Sequence, residues 1–255
     1  MNSENLLEVK GLSLSIVGDE DDHQVINNVC FDVTKGKITC LVGESGSGKT
    51  MTIASILGLT PEKAYFSDQS SIQFSGESIF SIFQDPMNSF NQSIKIRKQL
   101  FNMVNGYMEM TQPDFERSME TILRKLNFKD PQRVLGQYPF ELSGGMLQRL
   151  MIACGMLIEP TLIIADEPTT ALDVTIQKEI LKEFITINRE LKTTLFVVTH
   201  DFGVVAEIAD EVIVMQKGRI VEQGNVFEIF DKPREGYTKR LIKATFKELN
   251  HADVY

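Results

Sequence analysis

Short runs of apolar residues alternate with helical patterns over much of the chain. The runs at Ile38–Val42, 162–165 and 195–198 have the length of buried parallel strands. Between the last two runs, Val174–Leu191 carries apolar residues at the three- and four-residue spacing of a helix. Strands that alternate with helices in this order predict an α/β fold with a mainly parallel sheet.

The start of the chain and its middle follow different patterns. Apolar residues at 6–9 and 12–16 predict two short strands of an N-terminal antiparallel β part. Residues 88–158 are rich in methionine, which is more typical of a core than of an interface but suits both. Thr111 and Pro113 supply a capping hydroxyl and an early proline, so a helix begins there. We therefore predict a single domain over 1–255, an inserted helical subdomain at 88–158 and a final helix over 237–249.

Charge narrows the classes of ligand and partner. The 255 residues include 26 Lys and Arg against 35 Asp and Glu, which gives a net charge of −9. Nucleic acids and anionic lipids attract dense Lys and Arg surfaces, so no nucleic-acid partner is expected. No apolar run approaches the ~20 residues that a membrane-spanning helix needs. A site for an anion must therefore use the local positive potential of backbone N–H groups.

One glycine-rich segment matches the phosphate-loop pattern G-x-x-x-x-G-K-[ST]. It follows a predicted strand and precedes a helix, which is the context that this pattern requires. Glycines let successive N–H groups turn toward one anion, while Lys49 would reach the β- and γ-phosphates and Thr50 would bind Mg²⁺. A flexible loop without a ligand is the alternative. The segment predicts a site for ATP and Mg²⁺ made of Gly43, Glu44, Ser45, Gly46, Ser47, Gly48, Lys49 and Thr50.

Two carboxylates, Asp166 and Glu167, follow the apolar run at 162–165. Charge at the tip of a buried strand needs a cation or ordered water nearby, because burying an unpaired charge is costly. Asp166 could contact Mg²⁺ through a bridging water molecule, and Glu167 could polarise the attacking water. Many strands end in acidic residues, so this interpretation depends on the presence of the phosphate loop.

A second helix start combines a serine with two glycines. Ser143, Gly144 and Gly145 precede a predicted helix at 147–157, and such a start offers free N–H groups and a hydroxyl to an anion. A simple loop and helix cap would have the same sequence. If both helix starts bind the same ATP, two subunits must face each other.

Together these motifs resemble those of an ATP-binding cassette (ABC) ATPase, which implies a P-loop NTPase fold. They occur in the family's order between residues 43 and 201, and the flanking segments also fit. The resemblance rests on the phosphate loop, Gln84 in Phe83-Gln84-Asp85-Pro86, Ser143-Gly144-Gly145, Asp166-Glu167, Thr170-Ala171-Leu172-Asp173 and His200 in Thr199-His200-Asp201.

The resemblance implies a head-to-tail dimer in which residues 43–50 of one subunit and 143–145 of the other enclose each ATP. It places Gln84 at Mg²⁺ or the attacking water, as a link to membrane subunits. It places His200 at the γ-phosphate, where it would hold Glu167, and Asp173 at the dimer contact. Without the resemblance, His200 would be interpreted as a structural histidine and Gln84 as a surface amide.

Three segments resemble the nickel/peptide importers: residues 138–149, 84–87 and 218–224. The short tail is most similar to that of nickel-import ATP-binding subunits. This resemblance implies a second, usually different, ATPase subunit, two integral-membrane permeases and, indirectly, an extracytoplasmic binding protein. It also implies a place at the cytoplasmic face of the membrane, held by the permeases.

Nickel or a nickel chelate is the expected cargo. A dipeptide or oligopeptide is the alternative, and a soluble ABC protein without a transport role is a more remote one.

The sequence departs from the family pattern at three places. Ile16 occupies the position where the family stacks an aromatic residue on adenine, so an aliphatic contact with the base is expected. Met146 stands where the wider family has glutamine, although this subfamily often has methionine. The segment between Thr50 and Gln84 is shorter than usual.

Overall fold

A computed structural model describes residues 4–18, 21–170 and 172–252, with side chains up to residue 245. The chain falls into two compact units. The first contains Met1–Gly76 and Thr194–Tyr255, and the second contains Glu77–Thr193. None of the described helices is long and apolar enough to cross a membrane.

The strands and helices are numbered in chain order. The first half contains β1 (Asn5–Ile16), β2 (His23–Thr34), β3 (Ile38–Val42), α1 (Lys49–Leu57), β4 (Ala64–Phe66), β5 (Ser71–Phe74), β6 (Ile79–Ile82), α2 (Ile96–Asn105) and α3 (Gln112–Lys125). The second half contains α4 (Pro131–Gly136), a 3-10 turn (Pro139–Glu141), α5 (Gly144–Ile158), β7 (Leu162–Asp166), α6 (Val174–Leu191), β8 (Thr194–Thr199), α7 (Phe202–Ile208), β9 (Glu211–Gln216), β10 (Arg219–Asn225), α8 (Val226–Asp231) and α9 (Gly236–Ala252).

The N-terminal strands form a four-stranded antiparallel sheet in which β1 pairs with β2, β4 and β5. The prediction of two separate strands at 6–9 and 12–16 is wrong, because β1 continues through an irregularity at Gly11. Gly11 has a φ of +59°, and a Cβ there would lie 2.9 Å from the carbonyl oxygen of Gln69. Glycine therefore lets the chain bulge without ending the strand.

The second sheet of the first unit has the strand order β10-β9-β3-β8. β3 lies parallel to both β8 and β9, and β10 pairs antiparallel with β9 at the edge. Every residue of β3 and β8 is buried, as expected for parallel strands covered on both faces. Phe31 of β2 stacks on Phe196 of β8 with ring centroids 5.5 Å apart. This contact packs the two sheets of the unit against each other in its core.

The second unit pairs β6 parallel with β7, and helices α2–α5 lie between these strands in sequence. Its core includes Phe115, Met119 and Leu123 of α3, all fully buried. The methionines of this region divide between core and surface, since Met119 is buried whereas Met108 is 38 % exposed.

The α/β class, the parallel central strands, the antiparallel N-terminal part and the inserted helices are confirmed. α3 begins after Thr111, whose Oγ1 accepts a hydrogen bond from Asp114 N, and α6 has the predicted bounds. The final helix is longer than predicted, and the edge strand β10 was not predicted. The limits of the helical subdomain at 88–158 stay a prediction.

Candidate nucleotide site

The phosphate-loop segment runs from the end of β3 into the first turn of α1, as predicted. Gly46 and Gly48 have φ angles of +77° and +107°, in a region that side chains with a Cβ rarely adopt. Gly48 is the N-cap of α1, and because glycine has no side chain, no cap side chain accepts the N–H groups of the first helical turn. The segment therefore has the backbone conformation that the phosphate-loop pattern requires.

Close contacts explain why glycine is required at two loop positions. A Cβ at Gly43 would lie 2.2 Å from the carbonyl oxygen of Met215, and one at Gly48 would lie 2.8 Å from Met215 Cε. Gly218 N donates a hydrogen bond of 2.8 Å to the carbonyl oxygen of Ser47. The loop is thus fixed against the turn between β9 and β10 before any ligand binds.

Lys49 and Ser47 give the loop its side-chain chemistry. Lys49 is 4 % exposed, and its Nζ donates to the carbonyl oxygens of Gly43 at 2.7 Å and Glu44 at 3.1 Å. The ammonium therefore lies across the loop. Ser47 Oγ is buried and has no hydrogen-bond partner among the residues that the structure describes. A buried hydroxyl beside a glycine-lined row of donors fits a phosphate with its Mg²⁺, and Thr50, in the first turn of α1, is exposed beside it.

A residue from the far end of the chain supports the same loop. Glu44 N donates a 3.0 Å hydrogen bond to the hydroxyl oxygen of Tyr237 in α9. Tyr237 is buried, and burial raises the pKa of its hydroxyl. No sequence pattern indicates this contact, because the two residues are far apart along the chain.

His200 and the phosphate loop lie at the same edge of the sheet, each directly after a parallel strand. β3 and β8 are parallel, and Val42 pairs with Thr199, so Gly43 and His200 begin adjacent loops. His200 is exposed, and the next residue, Asp201, caps α7 by accepting a 2.7 Å hydrogen bond from Gly203 N. This position fits the predicted contact with a bound phosphate.

Ile16 lies at the end of β1, where it pairs with His23 of β2. Two residues along β2, the carbonyl oxygen of Val25 lies 3.3 Å from the position of a Cβ on Gly48. The β1–β2 end is therefore close to the phosphate loop. This placement agrees with the predicted contact between Ile16 and the base, which stays a prediction.

In the second unit, Gln84 and Glu167 lie next to each other. β6 and β7 are parallel, and Ile82 pairs with Ala165. Gln84 Nε2 donates a 3.1 Å hydrogen bond to Glu167 Oε2. Asp166, the last residue of β7, is only 6 % exposed.

Glu167 is held in an unusual conformation. Its φ is +45°, which is uncommon for a residue with a side chain and marks a constrained site. Thr170 Oγ1 donates a second hydrogen bond of 2.9 Å to Glu167 Oε2. Thr170 belongs to a motif quoted from the sequence, but its role in holding the carboxylate was not predicted.

The signature segment begins α5 as a helix cap. Ser143 Oγ accepts a 3.3 Å hydrogen bond from Met146 N, so Ser143 is a helix cap, as the alternative interpretation of this segment expected. Ser143 nevertheless remains exposed, with Gly144 and Gly145 as the first helical residues. A Cβ on Gly145 would lie 2.8 Å from Ile176 Cγ2, which requires glycine at that position.

Asp173 caps α6 and is exposed. Its Oδ1 accepts hydrogen bonds of 3.0 Å from both Thr175 N and Ile176 N, while Ala171 lies outside the described residues. The second unit thus contains Gln84, Asp166, Glu167, Ser143–Gly145 and Asp173, and the first contains the phosphate loop, Ile16 and His200. The grouping of Thr50 with Gln84 and Asp166 around Mg²⁺ stays a prediction.

Comparisons with known proteins define the class. Residues 26–170 match the family model described as ABC transporter. The metal-staphylopine import system ATP-binding protein CntD of Staphylococcus aureus is 37 % identical over 96 % of this chain and 94 % of its own length. The dipeptide transport ATP-binding protein DppD of Bacillus subtilis is also 37 % identical, over 98 % of this chain and 80 % of its own length.

A solved structure agrees with the fold. The structure of cbiO1 from Clostridium perfringens, part of the ABC transporter complex cbiONQ, has a TM-score of 0.74. It covers 99 % of this chain and 100 % of its own, and its 24 % identity supports the fold alone. The chain belongs to the ABC transporter family, as an ATPase subunit that couples ATP hydrolysis to transport. The P-loop ATPase fold predicted from the motifs is confirmed.

Proposed function

We propose that this chain powers an importer by hydrolysing ATP, with Glu167 acting on the attacking water. The observation that best supports this role is the geometry of Glu167. A left-handed backbone and two side-chain donors, Gln84 and Thr170, hold one carboxylate oxygen in place. A carboxylate fixed in this way needs little reorganisation to polarise water.

The phosphate loop binds the nucleotide in this proposal. The N–H groups of residues 46–50 receive the phosphate oxygens, and Lys49 exchanges its bonds to Gly43 and Glu44 for bonds to the β- and γ-phosphates. Thr50, Gln84 and Asp166 are the residues that would hold Mg²⁺. The ion supplies neutralising charge at the phosphates when it is bound.

Hydrolysis then follows from the positions of the polar groups. The water oxygen attacks the γ-phosphorus while Glu167 takes up the developing proton. The bond to the bridging oxygen breaks, which leaves ADP and inorganic phosphate. His200, at the edge that also starts the phosphate loop, contacts the γ-phosphate and keeps Glu167 in position.

A second ATPase subunit completes each site. Ser143 is exposed at the start of α5, whereas this chain's own phosphate loop already precedes a helix, α1. The proposal therefore assigns Ser143–Gly145 to the ATP bound by a head-to-tail partner, with Asp173 at the contact between subunits. Loss of the γ-phosphate removes the bridge between the two half-sites, so hydrolysis reopens the dimer.

The names of two relatives support the proposed partner subunits. CntD and DppD are named as ATP-binding proteins of import or transport systems. The proposed assembly contains a second, different ATPase subunit, two integral-membrane permeases and, indirectly, an extracytoplasmic binding protein. The chain would lie at the cytoplasmic face of the membrane, attached through the permeases.

Nickel or a nickel chelate is the proposed cargo. The name of the metal-staphylopine relative, which matches over nearly the full length of both chains, supports a chelated metal. The equal identity to the dipeptide transport protein favours a dipeptide or oligopeptide as the second candidate. In this proposal the permeases and the binding protein contact the cargo, so the choice between the two depends on the assembled transporter.

Stimulated ATP hydrolysis tests the proposal. The transporter is purified through a tag on this chain, placed in liposomes and mixed with its binding protein, loaded with a nickel chelate or with a dipeptide. We expect the nickel-loaded protein to stimulate ATP hydrolysis and the same complex with Glu167→Gln to show a reduced response. Stimulation by the dipeptide alone would transfer the proposal to peptide import, and no stimulation by either would refute both cargoes.

A further inference from the structure

An arginine–glutamate pair joins the two helices that begin with Ser143 and Asp173. Arg149 lies on α5, about two turns from Ser143, and Glu183 lies on α6. Arg149 Nε donates a 2.7 Å hydrogen bond to Glu183 Oε1. Both side chains are almost buried, with 11 % and 9 % of their surfaces exposed.

Arg149 is fixed from several directions at once. Its guanidinium also donates to the carbonyl oxygen of Leu126, lies over the ring of Phe128 at 5.0 Å, and pairs with the half-exposed Glu179 at 3.3 Å. These contacts connect α5 to the segment after α3 as well as to α6. A guanidinium held by several partners loses little further freedom when it binds one more carboxylate.

Glu183 is not fully satisfied. Its Oε2 is buried and has no hydrogen-bond partner in the described part of the chain, and its residue is 7 % exposed. The pair borders a cavity of about 570 Å³. The charged groups that face it are Lys125 from the end of α3, Arg149 from α5, and Glu179, Lys182 and Glu190 from α6 itself.

Burial decides how this carboxyl group titrates. Loss of solvent raises the pKa of Glu183 to about 7, Arg149 opposes that rise, and Glu179 adds to it. The hydrogen bond to Arg149 is therefore charge-assisted above neutral pH and becomes a weaker neutral one below it.

A second contact joins the same helices at their starts. Gly145 packs so closely on Ile176 that a Cβ would lie 2.8 Å from the isoleucine Cγ2. α5 and α6 are thus joined near Ser143 and Asp173 by the close contact between Gly145 and the Ile176 side chain, and further along by the ion pair. Two separated contacts fix the direction of one helix against the other, whereas one would act as a pivot.

We propose that Glu183 is a positioning residue for the signature segment, holding Arg149 and therefore α5 in register with α6, and that protonation of its carboxylate loosens this hold. The inference depends on the proposed role of Ser143 in binding the partner's ATP. It makes turnover sensitive to pH through a residue that touches neither nucleotide nor Mg²⁺. When the hold is loosened, Ser143 and Asp173 no longer reach the partner subunit together.

Glu183→Gln tests this inference, because glutamine keeps the acceptor to Arg149 and resembles the protonated acid. Glu179→Gln is the matched control, since it changes the half-exposed partner of the same arginine. ATP turnover and ATP KM are measured on the purified transporter between pH 6 and 8. We expect wild-type kcat at pH 8 to exceed that of Glu183→Gln by about fivefold, and the two values to converge near pH 6. KM should change little, and Glu179→Gln should match the wild-type kcat at pH 8, where Glu183 is ionised in both.

Stability gives a readout that does not depend on turnover. The folded-state pKa of Glu183 is raised above the usual 4.5, so its protonated form contributes stability that is lost as pH rises through about 7. The urea midpoint of the wild-type chain should therefore fall by roughly 0.5 M relative to Glu183→Gln between pH 5 and 8. If the urea midpoint and kcat depend on pH in the same way in wild type and in Glu183→Gln, the inference is wrong. A wild-type transporter without turnover at any pH would instead overturn the proposed function.

Discussion

At the scale of single residues, the structure explains how a carboxylate can be prepared for hydrolysis. Glu167 follows the last residue of β7 with a positive φ and receives hydrogen bonds from Gln84 and Thr170. Strain of this kind persists only where the surroundings hold it, and it is typical of functional sites. Lys49 is also prearranged, since it already lies across the loop that would bind phosphate.

Replacing Glu167 by glutamine removes the proton acceptor and preserves the shape of the side chain. We expect ATP turnover to fall at least about 100-fold while ATP binding is retained, because general bases contribute that much or more. Turnover and nucleotide binding are measured on the same preparation. Glu159→Gln is the matched control, since Glu159 is also a glutamate with positive φ but is exposed at the end of α5. Wild-type turnover in Glu167→Gln would refute its role.

Thr170→Val tests whether the second hydrogen bond positions the carboxylate. Valine has the shape of threonine without the hydroxyl, so Glu167 loses this hydrogen bond and keeps the one from Gln84. We expect kcat to fall about tenfold with little change in KM, since a hydrogen bond to a charged group contributes about 1.5–3 kcal/mol. Thr121→Val removes a comparable hydroxyl that bonds to the carbonyl oxygen of Arg117 in α3, and should have no effect.

At the scale of helices and strands, glycines decide which elements can approach one another. Gly43 and Gly48 let the phosphate loop contact β9, and Gly145 lets α5 contact α6. In each case an added methyl group would meet backbone or a packed side chain. These glycines are therefore needed for packing as well as for the N–H groups that they present.

Gly145→Ala should separate the start of α5 from α6. The added Cβ overlaps Ile176, so we expect turnover to drop about tenfold, whereas Gly136→Ala in α4 meets nothing within 4 Å and should be silent. The double variant Gly145→Ala/Ile176→Ala makes room for the new methyl group and should recover part of the turnover. If the double variant is no better than Gly145→Ala, crowding against Ile176 is not the cause.

The elements that the sequence predicted best are those set by nearby residues. The strand before the phosphate loop, the cap at Thr111 and α6 depend on local patterns, and the structure has them as predicted. The bulge at Gly11 was missed because only the pairing with β2 shows that the strand continues. Likewise, edge strand β10 acquires its place by pairing with β9, since its own residues are only half-buried.

At the scale of the whole molecule, the sequence motifs defined the family before any contact was known. The roles of Tyr237 and Glu183 could not be predicted in the same way. Each acts through a partner that only folding brings near, such as Glu44 for Tyr237 and Arg149 for Glu183. Supporting residues of this kind have no fixed spacing from the residues that they hold, so motif patterns do not reveal them.

The central claim is that this chain supplies half of each ATP site and that a second ATPase subunit supplies the other half. The most direct measurement is the mass of the Glu167→Gln chain by light scattering, alone and mixed with the ATPase subunit that co-purifies with it. With Mg²⁺ and ATP, we predict particles containing two ATPase chains. With ADP, or with Ser143→Arg added to the Glu167→Gln chain, we predict single chains. Particles that contain one chain in ATP, in both preparations, would contradict the account.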